Sequence, residues 1–302
     1  MDPRVTIQVS NGMQALSNGD ILLPVTYGLV PKHTPEDQKK LGKIYNPTQR
    51  HPDYLLEVRM FRSSDNGQTW TMFDPGMQKY HKYCWRFGRI VEMDDGRVLM
   101  PDKGTYIVSR DFGHTWPEQV MIGQPASETN IIKAADGTWV CLSRNHNVVR
   151  RLFKTSFSYD DGQTWTPWRW AGVRGKMPDL LKTQDGWILL AVGAEGLGDG
   201  SEVRWYPQRD SFVTIFISID NGQTWFRDAP IQPVERGGTV IPVDSPVMCS
   251  LGDGRVLVIA QAADRWFCSP PEAPVYDHYA LIANVIEPIK QGRHWPRKVG
   301  PP

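Results

Sequence analysis

Charged side chains recur at one place in a repeated pattern. About eight or nine residues ahead of five Asn/Asp-Gly dipeptides stand Ser10, Arg86, Glu128, the stretch Met177 to Asp179, and the pair Asp244 and Ser245. A plain core wants apolar groups at such positions, because an unpaired buried charge is costly. Brought together at one mouth, Glu128 and Asp244 can hold or move protons, while Arg86 and Asp179 can bind the polar groups of an anionic or polyhydroxy ligand.

The elements that must position these residues are legible as two interleaved repeats. NGDILLP (18–24), DGRVLMP (95–101), DGTWVCL (136–142), DGWILLA (185–191) and DGRVLVI (253–259) each set Asn/Asp-Gly before a short aliphatic run. Asn-Gly and Asp-Gly favour type I′ hairpin turns, in which both central residues need positive φ, so each run is expected to be a strand. Between them lie SSDNGQTW (63–70), SRDFGHTW (109–116), SYDDGQTW (158–165) and SIDNGQTW (218–225). In this second repeat the Asp can accept from nearby backbone N–H groups while Gly supplies positive φ, and the Trp is expected to pack between neighbours.

The chain thus cycles through four strands every ~45–60 residues, the signature of a β-propeller blade. Five cycles predict an all-β propeller of four-stranded blades in a single domain over 1–302, with six blades left open. No stretch shows sustained helical periodicity with caps. RVTIQVS (4–10) is expected to complete the last blade, which lacks the second repeat, and to close the ring. Insertions at 28–52, 191–208 and 262–278 are expected to carry specificity.

Composition narrows the partners. The 34 Lys and Arg balance 33 Asp and Glu, which argues against a nucleic-acid or membrane-surface partner. The four cysteines lack the close spacing of a zinc or redox motif, so neither metal nor cofactor is expected. MDPRVTIQVS has no signal-peptide pattern, which leads us to expect an intracellular protein unless an upstream segment has been removed.

The four Ser-x-Asp-x-Gly-x-Thr-Trp boxes, one per blade, resemble the Asp-box (BNR) repeats of the sialidase superfamily. SETNIIKAADGTWVCLSRN (127–145) resembles the sialidase segment holding the nucleophile-assisting glutamate and a carboxylate-binding arginine, which implies those roles for Glu128 and Arg144. On the same resemblance Asp53, before the strand into the first box, stands for the acid/base aspartate, Arg86 for the first arginine of the triad, and Arg209 for the third. Arg86 falls in the second blade, a departure from the family. A larger one lies in VDSPVMCSLGDGRVLV (243–258), where the family's nucleophilic tyrosine is replaced by Asp244 and Ser245.

The resemblance implies a glycoside hydrolase acting on a terminal, acidic sugar of a glycan, with Glu128 paired with Asp53 or Asp244 across an oxocarbenium-like transition state. A true exo-sialidase requires a tyrosine from an insertion, such as Tyr206, Tyr276 or Tyr279. A polysaccharide lyase needs a base beside a uronate, for which His51, His81 and His146 are candidates. A non-catalytic carbohydrate-binding propeller would use tryptophans outside the boxes, Trp85, Trp168, Trp170, Trp187, Trp205 and Trp266, as stacking platforms.

Overall fold

A computed structural model describes residues 5–9, 12–29, 55–77, 88–123, 127–145, 152–193, 213–228, 234–236, 239–241, 243–263 and 279–287. Every helix or strand among them is a β-strand. Blade 1 holds β1 (Val5–Val9), β2 (Gln14–Ala15), β3 (Ile21–Leu29), β4 (Leu55–Ser63) and β5 (Thr71–Phe73). Blade 2 holds β6 (Val91–Glu92), β7 (Val98–Asp102), β8 (Thr105–Ser109) and β9 (Glu118–Met121). Blade 3 holds β10 (Thr129–Lys133), β11 (Trp139–Arg144), β12 (Leu152–Ser158) and β13 (Arg169–Arg174). Blade 4 holds β14 (Lys176–Lys182), β15 (Ile188–Gly193), β16 (Thr214–Ser218) and β17 (Phe226–Arg227). After a separate hairpin of β18 (Val234–Arg236) and β19 (Thr239–Ile241), blade 5 holds β20 (Val243–Ser250), β21 (Val256–Ala263) and β22 (Tyr279–Ile286). The result is a five-bladed all-β propeller of antiparallel meanders.

The N-terminal strand departs from expectation. β1 pairs with β3 of blade 1, Ile7 opposite Tyr27, and continues along β3 the edge that β2 begins. It belongs to the first blade and does not complete the last. Pairing with a strand a short loop away costs far less closure entropy than pairing with the far end of the chain.

The Asn/Asp-Gly turns also differ from the type I′ form. Gly19, Gly96, Gly137, Gly186 and Gly254 have positive φ, but the Asn or Asp before each does not. Leu16 N–H donates to Asp20 O and Gly19 N–H to Leu16 O, at 2.8 and 3.0 Å, closing a longer loop that ends on a left-handed glycine. The acidic or amide residue has its own task. Asn18, Asp95, Asp136 and Asp253 each accept from the backbone N–H two residues on, at 2.9–3.0 Å.

Each of the four boxes is a closed hydrogen-bond set. In the first, Asp65 Oδ1 accepts from Ser63 Oγ and from Thr69 N–H at 2.7 and 2.9 Å, and Gly67 N–H donates to Ser63 Oγ at 2.8 Å. The Thr69 hydroxyl, with the Thr69 N–H and Ser63, holds Asp65 down at a pKa of about 2. Thr164 and Ser158 do the same for Asp160, also to about 2. The second, third and fourth boxes then lock blade to blade, because their glycines let the turn press on the blade before it. A Cβ added at Gly113 would strike Leu22, at Gly162 it would lie 2.7 Å from Met93 and 4.0 Å from Leu99, and at Gly222 2.8 Å from Val140.

The core is accordingly a series of layers between blades. Leu22 and Met60 pack with Met100 and Trp116. Leu99 and Tyr106 pack with Ile131 and Cys141. Val140 and Phe157 pack with Leu190 and Trp225, and Leu189 and Ile215 pack with Met248 and Val258. Second strands sandwiched on both faces, such as β7 and β15, are buried along their whole length, which is why VLMPD and ILLAVG read as near-continuous apolar runs.

Candidate functional site at the channel

The first strands of the blades converge on an axis, and the same sequence position leads each of them there. Seven residues before the turn glycine stand Gly12, Arg89, Asn130, Asp179 and Val247, one from each blade. At this level the strands touch. Gly88, just before Arg89, presses on Thr129 O and leaves no room for a side chain, since an added Cβ would also lie 2.8 Å from Asn130 Oδ1. Arg89 N–H donates to Asn130 Oδ1 at 2.8 Å, and Asn130 Nδ2 in turn donates to Pro178 O.

Among the described residues, one side chain spans the axis. Arg89 of blade 2 donates through Nη2 to Asp179 Oδ2 of blade 4 at 2.7 Å and to Met248 O of blade 5 at 2.9 Å. Met248 N–H donates to the same Asp179 oxygen at 2.7 Å. Asp179 is fully buried, and desolvation raises its pKa above the ordinary carboxylate value against the opposing pull of Arg89 and the Met248 N–H. Its other oxygen, Oδ1, has no partner of good hydrogen-bond geometry among the described residues, nor has Arg89 Nε.

Glu128 lies two residues nearer the start of its strand than Asn130. The residue is 3% exposed. Arg144, at the end of β11, approaches it with two nitrogens: Nε bonds Glu128 Oε2, and Nη2 reaches Oε1 at 3.1 Å and Ser127 Oγ at 2.8 Å. The backbone fixes the same pair, Arg144 N–H donating to Glu128 O at 2.9 Å. Two-point contact of this kind sets the plane of the carboxylate as well as its charge environment. Arg144 Nη1 makes no hydrogen bond with any described residue.

The corresponding ends of the first strands in blades 4 and 5 are bent. β14 is irregular between Lys176 and Asp179 and β20 between Asp244 and Val247, with Met177 at φ 51° and Ser245 at φ 54°. Both left-handed residues precede a proline, in Met177-Pro178-Asp179 and Ser245-Pro246-Val247. Bulges with a non-glycine residue at positive φ re-aim side chains, and they concentrate beside functional sites.

Of the residues singled out from sequence, Glu128, just before β10, and Arg144 and Asp179, on β11 and β14, thus stand at the channel. Asp244 lies on β20 opposite Gln261, at the start of the bulge. Asp53, Arg86 and Arg209 lie outside the described residues, as do Tyr206, Tyr276, His51, His81 and His146, while Tyr279 begins β22 opposite Ala263. Sequence reasoning missed Arg89 and Asn130. The signal was available as a charged residue inside GRIVEM, but it sits nearer the turn than the eight or nine residues ahead of the Asn/Asp-Gly dipeptide at which the mouth was sought. Among the described residues no three His, Cys, Asp or Glu side chains group as metal ligands.

A family model, the BNR repeat-like domain, matches residues 38–238. No curated protein matches the chain. Among solved structures, a protein of unknown function from Dyadobacter fermentans superposes with a TM-score of 0.60 at 18% identity, over 91% of this chain and 75% of that one. The NanB sialidase of Streptococcus pneumoniae superposes with a TM-score of 0.57 at 12% identity, over 93% and 55%. A leech intramolecular trans-sialidase gives 0.52 at 16% identity, over 78% and 38%. The chain therefore spans about half or less of the length of these two sialidases, and at such identities the likeness is one of fold.

Proposed function

This chain belongs to the BNR repeat-like domain family as a divergent, sialidase-like propeller, and from that premise we propose that it is a glycoside hydrolase acting on a terminal, acidic sugar at the channel mouth. The observation that carries the reading is the Glu128–Arg144 pair: a carboxylate 3% exposed, held at two points by a guanidinium whose Nη1 is left for a ligand. In this reading Glu128 is one member of the carboxylate pair and Asp244, at the bulge, or Asp53 the other. Arg144, with Arg86 and Arg209, takes the sugar carboxylate. Asp179 serves the ligand through Arg89, whose position it fixes. Where a sialidase presents a phenol, a carboxylate at Asp244 favours direct displacement by water or attack by the carboxylate itself.

Glu128→Gln is the test, on a panel of chromogenic glycosides that includes sialosides and glycuronides. The expected result is cleavage of one acidic glycoside by the wild type and a fall in kcat of about 10²- to 10⁴-fold in the variant, with ligand binding retained by calorimetry. Unchanged kcat would remove Glu128 from the chemistry. An unsaturated, ultraviolet-absorbing product would make the protein a lyase instead.

A further inference from the structure

Seven described residues other than glycine take a positive φ, and five of them turn the chain. Asn66, Phe112, Asp161 and Asn221 each precede the glycine of a box, and Lys103 with Gly104 makes the two-residue link from β7 to β8. Met177 and Ser245 turn nothing. Each stands inside a first strand and before a proline, where the backbone otherwise favours an extended form. At each bulge the left-handed residue and its proline oppose a single residue, Val192 in blade 4 and Ala260 in blade 5.

Cross-strand partners place these bulges beside the carboxylates. Glu128 meets Arg144, Lys176 meets Gly193 and Asp244 meets Gln261, each partner lying seven residues after the turn glycine of its blade. Glu128, Lys176 and Asp244 are therefore at one level, and the bulges come just beneath it. Met177 and Pro178 lie opposite Val192, which packs between blades 3 and 4 with Phe153, the residue opposite Arg144. Asn130, on the same side of its strand as Glu128, donates to Pro178 O. Met177 thus borders the Glu128–Arg144 pair. It is partly buried, yet it belongs to none of the four apolar layers between blades.

We propose that Met177 is a specificity-determining residue, the apolar wall on which the C–H face of the terminal acidic sugar packs beside Glu128. For its ligand the inference rests on the hydrolase reading. Blade 4 stands between blades 3 and 5, so a ring held between Glu128 and Asp244 has the blade 4 bulge at its side. Glycine would take the same backbone without strain, so the methionine is there for its side chain. A long, unbranched thioether adapts to the uneven C–H face of a sugar ring. Such a wall adds to binding without touching the bond that breaks, and its loss is felt in KM ahead of kcat.

The test compares Met177→Gly and Met177→Leu with the wild type, each as the full chain. Thermal denaturation separates a wall from a packing residue. Met177→Gly, relieved of φ 51°, melts above the wild-type midpoint or within about 2 °C of it, and a lower midpoint overturns the proposal. On the acidic glycoside that the wild type cleaves, Met177→Gly raises KM about tenfold or more with kcat changed less than about threefold. Met177→Leu restores KM, and a leucine variant as weak as the glycine one rules out an apolar wall. Calorimetry with N-acetylneuraminic acid and with glucuronic acid reads the same loss as a rise in Kd, whether or not any glycoside is cleaved. Binding without turnover refutes the hydrolase reading and keeps the wall if Met177→Gly weakens that binding. Unchanged KM and Kd in Met177→Gly, beside an active wild type, overturn the wall alone. A wild type that neither binds nor cleaves any of these probes overturns both.

Discussion

Replacing Arg89 by Met removes the one guanidinium among the described residues that crosses the channel axis, while keeping a long apolar stem. Two bonds are lost, to Asp179 Oδ2 at 2.7 Å and to Met248 O at 2.9 Å, and Asp179 keeps the Met248 N–H at 2.7 Å. The Asp179 side chain is 0% exposed and that of Arg89 21%. Breaking a buried ion pair by deleting one partner costs about 3–5 kcal/mol, and the partial exposure of Arg89 points to the lower end, about 3 kcal/mol. The carboxyl has an escape, which makes the cost depend on pH. Burial already lifts the Asp179 pKa above 3.8 with Arg89 present, and removing the cation lifts it further.

A carboxyl with a raised folded pKa binds more protons folded than unfolded. Stability is therefore lost as pH rises from 3.8 towards the folded value, by up to about 1.4 kcal/mol per pH unit, and is flat beyond it. Urea unfolding followed by Trp fluorescence at about pH 5 and about pH 8 should show the full penalty of Arg89→Met only at the higher pH. Adding Asp179→Leu should return part of the loss, because an apolar pair leaves no buried charge. An equal loss at both pH values, or one below about 1 kcal/mol at the higher, would refute the assignment of Arg89 as a cross-channel strut.

Gly222→Ala and Gly67→Ala share the backbone cost of φ 82° and 84°, but only the first drives a methyl to 2.8 Å from Val140. Urea unfolding should find it the worse by about 1 kcal/mol or more. The box aspartates set the acid limit: Asp65 and Asp160, lowered from 3.8 to about 2, contribute stability that is fully present above 3.8 and is lost as pH falls to about 2. Asp65→Asn with Asp160→Asn should flatten the acid limb of a circular dichroism titration in that window. Asp161→Ala takes away the acceptor of Trp139 Nε1 at 2.8 Å, buried at the junction of blades 2 and 3. A loss of about 1–2 kcal/mol in a denaturant titration is expected, and no loss would mean the indole finds another partner.

The blades were legible because both repeats carry their mechanism in residue type. An Asx side chain accepting from the N–H two residues on, or a Ser-Asp-Thr set closing on itself, needs no information from elsewhere in the chain. The partner of β1 is decided by which free edge lies nearest, and VTIQV reads the same on either edge. The turn type was misjudged because Asn-Gly serves both the two-residue turn and the longer loop that ends in a left-handed glycine. At the site, Glu128 and Arg144 were found as a pair on neighbouring strands, and their two-point contact follows from Arg144 N–H meeting Glu128 O. Arg89 was missed because its role depends on what lies across the axis, in blades 4 and 5, and no local pattern records that.

The strut has a consequence for traffic. With Arg89 laid from blade 2 to blades 4 and 5, and Gly88 pressed on Thr129, the axis is stoppered at the level of Asn130. Among the described residues, these contacts form a floor beneath Glu128. If the mouth beside Glu128 takes a glycan, as proposed above, a floor at that depth would admit the tip of a chain and bar its threading along the axis, so that each cleavage would be followed by release.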